Sequence, residues 1–347
     1  MKVDGGLIGH SLGEVPAAAR ALEALGYDGV FTFEGPHEPF FPLLLAAEHT
    51  DRVDLTTAIA IAFARTPMTL ANLAWDLQQM SGGRFVLGLG TQIRPHIEKR
   101  FSMPWSRPAA RMRELVLALR SIFDRWQHGT PLDFRGEFYT HTLMTPMFDP
   151  GPCEQGPPRV VLAGVGPVMT EVAGEVADGF MVHPFTTERF LRETTMPALE
   201  RGLAASDRSR ADFEIAFPAM VAIGDTDEDL HRELEGYRYR IAFYGSTPAY
   251  KVVLDAHGWG DLQPELNRLT KSGDWSTMQE LVTDDVVAAF VTSGTLEQIP
   301  QRLADRYGTL VDRVSFTAPA DADPERVRST IRAIQTASHD SASPHER

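Results

Sequence analysis

The stretch Ser81-Gly82-Gly83-Arg84-Phe85-Val86-Leu87-Gly88-Leu89-Gly90 decides how this chain folds. An apolar helical pattern over Met68–Met80 ends just before it, Gly82-Gly83 turn the chain, and Phe85–Gly90 reads as a short strand buried on both faces. The strand stops on a glycine, where backbone can approach a ligand closely. The same strand-then-glycine punctuation returns at Val160-Val161-Leu162-Ala163-Gly164-Val165-Gly166-Pro167. Strand ends that face helix N-termini are where parallel α/β barrels do chemistry. Two such glycine-rich ends, about half a barrel apart, point to one extended ligand carrying a phosphate or carboxylate.

Working outward, short apolar runs alternate with longer amphipathic ones. The strands expected are Val3–Ile8, Gly29–Phe33, Leu55–Ile61, Phe85–Gly90, Val160–Ala163, Gly179–Val182, Phe213–Ile223 and Arg313–Thr317. Helical patterns lie at Glu14–Leu25, Pro39–His49, Met68–Met80, Pro108–Trp126, Val168–Val176, Thr187–Ala204, Glu228–Phe243 and Pro324–Thr336. Strand followed by helix, eight times, is the pattern of an α/β (β/α)8 TIM barrel. Two regions depart from the repeat. Leu132–Thr140 reads as a hairpin turning at Arg135-Gly136, followed by a Pro/Gly-rich loop from Pro146 to Pro158. About residues 244–285 read as short helices (Pro248–His257, Leu262–Lys271, Trp275–Val282) inserted between strands seven and eight. We expect one barrel domain over residues 1–337 with a polar tail at 338–347, and both insertions walling the substrate pocket.

The chain has 347 residues, 43% of them hydrophobic, which supports a full core. Its formal charge of −14 argues against nucleic acid and anionic membrane as partners. No apolar run approaches the ~20 residues of a membrane span. The first residues run straight into an apolar strand without a signal-peptide core, and Cys153 stands alone, so a cytoplasmic protein is expected. Against the acidic average, Arg94, Lys99, Arg100, Arg107, Arg111 and Arg113 crowd together behind Gly90 with only Glu98 opposing them. They form either a solvated helix face or a mouth for a polyanionic ligand.

Several strand-end residues could carry chemistry. Gly88-x-Gly90 and Gly164-x-Gly166 lack the third glycine of a dinucleotide fingerprint. The second run leads into a helix at Pro167, so free amides and the helix dipole would face a phosphate there, unless both runs are plain tight turns. Glu34 and His37 follow the second strand and His183 ends the sixth; each could act as general acid or base, or simply cap and pack. The strand-end histidines His10 and His183 lack the paired spacing of a metallohydrolase barrel, so no metal is expected. The run Ala58-Ile59-Ala60-Ile61-Ala62 offers small residues against which a flat ring could lie, or which merely fit a barrel interior. Phe243, Tyr244, Tyr250, Trp259 and Trp275 in the insertion hint at an apolar substrate or form the insertion's own core.

In combination, Ser81-Gly82-Gly83-Arg84-Phe85-x-Leu87-Gly88-x-Gly90, Pro67 with Leu70-Ala71, Arg111-x-Arg113-Glu114, Ala163-Gly164-x-Gly166-Pro167 and Ala173-Gly174-Glu175-x-Ala177-Asp178-Gly179 resemble the bacterial luciferase-like monooxygenase superfamily over nearly the whole chain. Gly90-Thr91-Gln92, Phe134-Arg135-Gly136 and Ala163–Pro167 are more similar to its coenzyme F420-dependent oxidoreductases than to its FMN monooxygenases.

The resemblance implies hydride transfer between a bound deazaflavin and a small organic substrate, with FMN-dependent monooxygenation, or a non-catalytic cofactor-binding barrel, as alternatives. It implies a ring at the C-terminal ends of the strands, backed by a non-prolyl cis peptide near Ala58-Ile59 and Ala60. It further implies phosphate contacts at Ala163, Gly164, Val165 and Gly166, with Gly90, Thr91 and Gln92 beside the ring or its chain. The anionic tail of coenzyme F420 would meet Arg94 and its basic neighbours. Related enzymes often carry an Asp-His pair after the second strand and an acid after the fourth. Here Glu34-Gly35-Pro36-His37 and Gln92-Ile93 stand instead, which leaves the acid/base among Glu34, His37 and His183. Relatives commonly pair, so a homodimer is expected.

Overall fold

The computed structural model describes residues 1–340, with side chains through residue 337. In chain order its strands are β1 (Lys2–Gly6), β2 (Gly29–Thr32), β3 (Asp54–Thr57), β4 (Ala60–Ile61), β5 (Phe85–Gly90), β6 (Phe134–Arg135) and β7 (Thr140–His141). They continue with β8 (Arg159–Gly164), β9 (Gly179–Val182), β10 (Glu214–Phe217), β11 (Met220–Ile223), β12 (Val291–Gly294) and β13 (Arg313–Ser315). One parallel sheet runs β3-β2-β1-β13-β10-β9-β8-β5-β4, and the pairing of β3 with β5 closes it. β3 and β4 are two parts of one interrupted stave, so the barrel has eight, the (β/α)8 architecture expected.

Helices cover the outside, and their ends carry familiar stop and start residues. Pro67, Pro108 and Pro167 open helices where their missing N–H is not needed. Thr66 caps the first of these by accepting from the Thr69 N–H at 3.2 Å. Gly26 and Gly129 close helices in the left-handed region. The core fills the layer between sheet and helices, with Phe85, Leu87, Val160, Leu162, Phe180 and Val182 facing outward into it. The intervening residues Val86, Val161 and Met181 face inward and pack on one another. The N-terminal end of the barrel is closed by charge. Buried Arg313 holds Asp4 at 2.9 Å and also pairs with Asp54 and Glu214, and Lys2 and Arg159 join the same carboxylates.

Three expectations change. Phe213–Ile223 is not one strand. Pro218 has no N–H to give the ladder, so β10 ends at Phe217 inside the barrel, and β11 leaves it to pair in parallel with β12. The helix Asp227–Gly245 consequently packs with the insertion, and Ile299–Tyr307, whose Ile299, Leu303 and Tyr307 enter the barrel core, is the helix of the seventh unit. The insertion therefore has its own core, including Ile241, Leu254, Leu266, Met278 and Phe290. The hairpin exists as β6–β7, but its turn spans Gly136–Tyr139. The Glu114 carboxylate accepts there from the N–H groups of Glu137, Phe138 and Tyr139. Of the tail expected at 338–347, residues 341–347 lie outside the described residues, and the last helix runs Pro324–Asp340. Among the described residues no helix is long and apolar enough to cross a membrane.

Candidate active site

The C-terminal ends of the strands converge on one mouth. Between β3 and β4 the peptide Ala58-Ile59 is cis, at the bond the resemblance implied. The bulge it makes is held from two sides. Ala58 N–H donates to Thr32 O at 2.6 Å, and Glu34 N–H donates to Ile59 O at 3.0 Å. The Glu34 carboxylate then accepts from Ile61 N–H and from Arg65 Nη1, both at 2.7 Å. Arg65 also reaches Ile61 O at 3.2 Å and both oxygens of Glu38 at 2.9 and 2.7 Å. Glu34 is thus held in an ion pair beside the bulge. His37 sits exposed on the same loop.

The glycines of β5 have a local cause. A Cβ on Gly88 would stand 1.8 Å from Thr57 O, and one on Gly90 would meet the Ile59 side chain at 2.9 Å. The Thr57 hydroxyl donates to Gly88 O and accepts from Gly88 N–H, each at 2.8 Å. Gly88 and Gly90 therefore make room for the bulge of the neighbouring stave. Past Gly90 the chain turns sharply at Gln92, which lies in the left-handed region at φ 59°. Its Oε1 accepts from Ile93 N–H at 2.9 Å, and Thr91 Oγ1 donates to Gln92 O at 2.9 Å.

β8 ends differently. Gly164 lies against Met169, but nothing stands within 4 Å of a Cβ built on Gly166. Gly166 is the N-cap of the helix Pro167–Val176, with extended backbone and no side chain bonded to the helix start. Ala58 and Ile59 of the bulge and Ala163 near the end of β8 each pack against the inward layer of Val86, Val161 and Met181, so the bulge and the end of β8 share one apolar floor.

Strand alternation turns His183 inward, since it follows inward Met181 and outward Val182. Its Nδ1 accepts from Phe185 N–H at 3.0 Å, so the neutral ring carries its proton on Nε2. Burial pushes the imidazole down to about 4, and it is neutral at pH 7. Tyr244 and Tyr250 of the insertion pack on it, with ring centroids at 5.0 and 4.5 Å. Sequence reasoning named these tyrosines only as insertion aromatics; nothing local shows that they meet a strand-end histidine. It missed Arg65 altogether. Trp259 stacks on His257, while Phe243 and Trp275 pair with each other near the surface.

Two further expectations are corrected. The basic cluster disperses: Arg107 pairs with Glu137, Arg113 with Glu175, and buried Arg111 donates to Tyr139 Oη and Pro104 O. Arg94 is exposed and paired with Glu98, Arg100 donates to Gly35 O, and Lys99 is exposed. The Pro146–Pro158 loop does not wall the mouth. It leads from the hairpin into the start of β8 and is tied by Asp149 to Arg125, Cys153 to Gln127 and Gly156 to Gln78, at the C-terminal ends of two barrel helices, so it lies at the opposite end of the barrel. Among the described residues no cluster of three His, Cys, Asp or Glu side chains could hold a metal ion.

An uncharacterized protein of Mycobacterium tuberculosis is 55% identical over 314 residues, covering 90% of this chain and 92% of that one. The 5,10-methylenetetrahydromethanopterin reductase of Archaeoglobus fulgidus is 26% identical over 291 residues, 82% of each chain. Among solved structures, the coenzyme F420 dependent tetrahydromethanopterin reductase from Methanopyrus kandleri superposes with a TM-score of 0.77 at 20% identity over 99% of both chains, and so shares the fold. The sequence model of the luciferase-like monooxygenases matches residues 2–313. With its closed barrel and bulged third stave, the chain belongs to the luciferase-like monooxygenase family.

Proposed function

We propose that the protein is an oxidoreductase that passes hydride between bound coenzyme F420 and a small organic substrate. The observation that carries this is the shared floor: Ala58, Ile59 and Ala163 lie on one inward apolar layer, beside a helix start left open at Gly166. A flat ring fits the first feature and a phosphate the second, through free amides and the helix dipole. Coenzyme F420 supplies a ring carbon that accepts or gives hydride.

The chain's own residues do the rest. Ala58, Ile59 and Ala60 shield one face of the ring, and the Glu34–Arg65 pair keeps them in place. Gly90, Thr91 and Gln92 border it, and Gly164, Val165 and Gly166 hold the phosphate. Arg94, Lys99 and Arg100 lie where an anionic tail leaves the mouth. Of the three acid/base candidates, Glu34 is the one held in an ion pair, which leaves His183 and His37 for contact with substrate. The relatives named for coenzyme F420 and tetrahydromethanopterin support this choice of cofactor. A cytoplasmic homodimer belongs to the same proposal.

FMN carries a flat ring and a phosphate too, and the family is named for monooxygenases. Fluorescence titration of the protein with coenzyme F420 and with FMN separates the readings. Saturable binding of coenzyme F420, weakened by charge reversal of Arg94 and Lys99 for the long-tailed form alone, is expected. Saturable binding of FMN without coenzyme F420 overturns the proposal. A barrel that binds coenzyme F420 but turns over no carbonyl or alcohol in a broad panel is the non-catalytic alternative.

A further inference from the structure

We propose that His183, Tyr244 and Tyr250 form a substrate-oxygen site, which binds an uncharged carbonyl or hydroxyl compound through three neutral hydrogen-bond donors. The site is built across two parts of the chain. His183 comes from the end of β9, Tyr244 from the end of the helix Asp227–Gly245, and Tyr250 from the turn Pro248–Tyr250. The proposal rests on the oxidoreductase reading and narrows its substrate.

Three observations converge. The bond from Phe185 N–H to Nδ1 leaves Nε2–H as the donor of a ring turned toward the mouth. Tyr244 stands edge-on to that ring and Tyr250 is tilted against it, so both phenols border the same imidazole. Neither hydroxyl hydrogen-bonds to another described residue, although both rings pack against the insertion's core. Burial raises both phenols, Tyr250 to about 12, and they stay protonated donors at neutral pH. The Nε2–H and the two phenol hydroxyls can each donate to an oxygen that accepts, and the phenol oxygens can take the proton of a hydroxyl in return.

The charge around them selects the acceptor. Burial is the influence that moves His183, and Arg240 acts on Tyr244 from the preceding turn of its own helix. Among the described residues no carboxylate or cation bonds to any of the three rings. A carboxylate or phosphate brought here would lose water without gaining an ion pair. A ketone, aldehyde or alcohol oxygen needs none, and Phe185, stacked on Tyr250 and on Phe290 in the insertion's core, backs the Tyr250 ring.

The test uses the full chain, with and without coenzyme F420, and cyclohexanone as the probe against cyclohexanecarboxylate. Histidine labelled with 13C at Cε1 reports on His183 by NMR, independently of turnover. Cyclohexanone is expected to shift the His183 signal saturably. Tyr250→Phe and Tyr244→Phe are each expected to weaken it ~3–10-fold, as loss of one hydrogen bond does, while leaving the affinity for coenzyme F420 unchanged. The carboxylate is expected to bind at least ~10-fold more weakly, because it would be desolvated without a cation. Unaltered cyclohexanone binding in both variants, no shift in the wild type, or tighter binding of the carboxylate overturns the proposal. Failure of coenzyme F420 to bind, with the cyclohexanone shift intact, instead overturns the cofactor reading and spares the oxygen site.

Discussion

Arg65→Met is the sharpest perturbation of the candidate site. Arg65 is 11% exposed and Glu34 6%, and their 2.7 Å bond sits directly behind the bulge. Removing the cation leaves the Glu34 carboxylate buried with the Ile61 N–H as its remaining partner. Breaking a buried pair in this way costs ~3–5 kcal/mol, since one charge is left uncompensated. The Glu38 arm contributes much less, because Glu38 is 35% exposed and a pair in water is worth ~0–1 kcal/mol. Glu34→Gln removes the charge but keeps an acceptor, so it costs ~1–3 kcal/mol. The double variant is expected to be more stable than Arg65→Met alone, as no naked charge remains. Urea unfolding of the four proteins, followed by tryptophan fluorescence, gives the coupling through a double-mutant cycle. Cofactor affinity, measured in the folded range, should fall in Arg65→Met as the bulge loosens. A loss below ~1 kcal/mol for Arg65→Met, or simple additivity in the cycle, refutes the idea that this pair holds the bulge.

Other expectations follow from the same geometry. Gly88→Ala drives a methyl group into Thr57 O and should abolish folding or sharply lower the melting temperature. Gly166→Ala meets open space and should leave the melting temperature nearly unchanged while weakening cofactor binding, which calorimetry can read. His183 should titrate by NMR near pH 4, against ~6.5 for an unperturbed imidazole. Between those values the unfolded chain binds a proton that the folded chain refuses, so stability falls as pH drops through that window. Unfolding curves of His183→Gln should lose this part of the acid limb, and an unchanged limb would count against a neutral buried His183.

Much of the barrel is legible in the sequence because parallel staves are written as uninterrupted apolar runs. Phe85–Gly90 and Gly179–Val182 stand where their runs place them. The failures have physical causes. Phe213–Ile223 looks continuous until Pro218 is given its weight as a break. Val291-Thr292-Ser293-Gly294 is too short and polar to read as a strand before its partner β11 is known. The hairpin turn depends on Glu114, more than twenty residues upstream. The site is less legible than the fold. The glycines of β5 look like ligand contacts, and the bulge of the next stave is a second, structural reason for Gly88 and Gly90 that the sequence does not show. The basic cluster looks unopposed because Glu137 and Glu175 reach it only through the fold. Arg65 carries no local signal at all, and Tyr244 and Tyr250 gain meaning only when the insertion closes over β9.

We propose that a deazaflavin ring lies on the floor of Ala58, Ile59 and Ala163 with its phosphate at Gly164–Gly166. A crystal structure of the protein soaked with coenzyme F420 tests it most directly. The ring is expected against the Ala58-Ile59 bulge, with the phosphate at the start of the helix Pro167–Val176. Coenzyme bound elsewhere, or a mouth that stays empty at saturating coenzyme while FMN occupies it, contradicts the account.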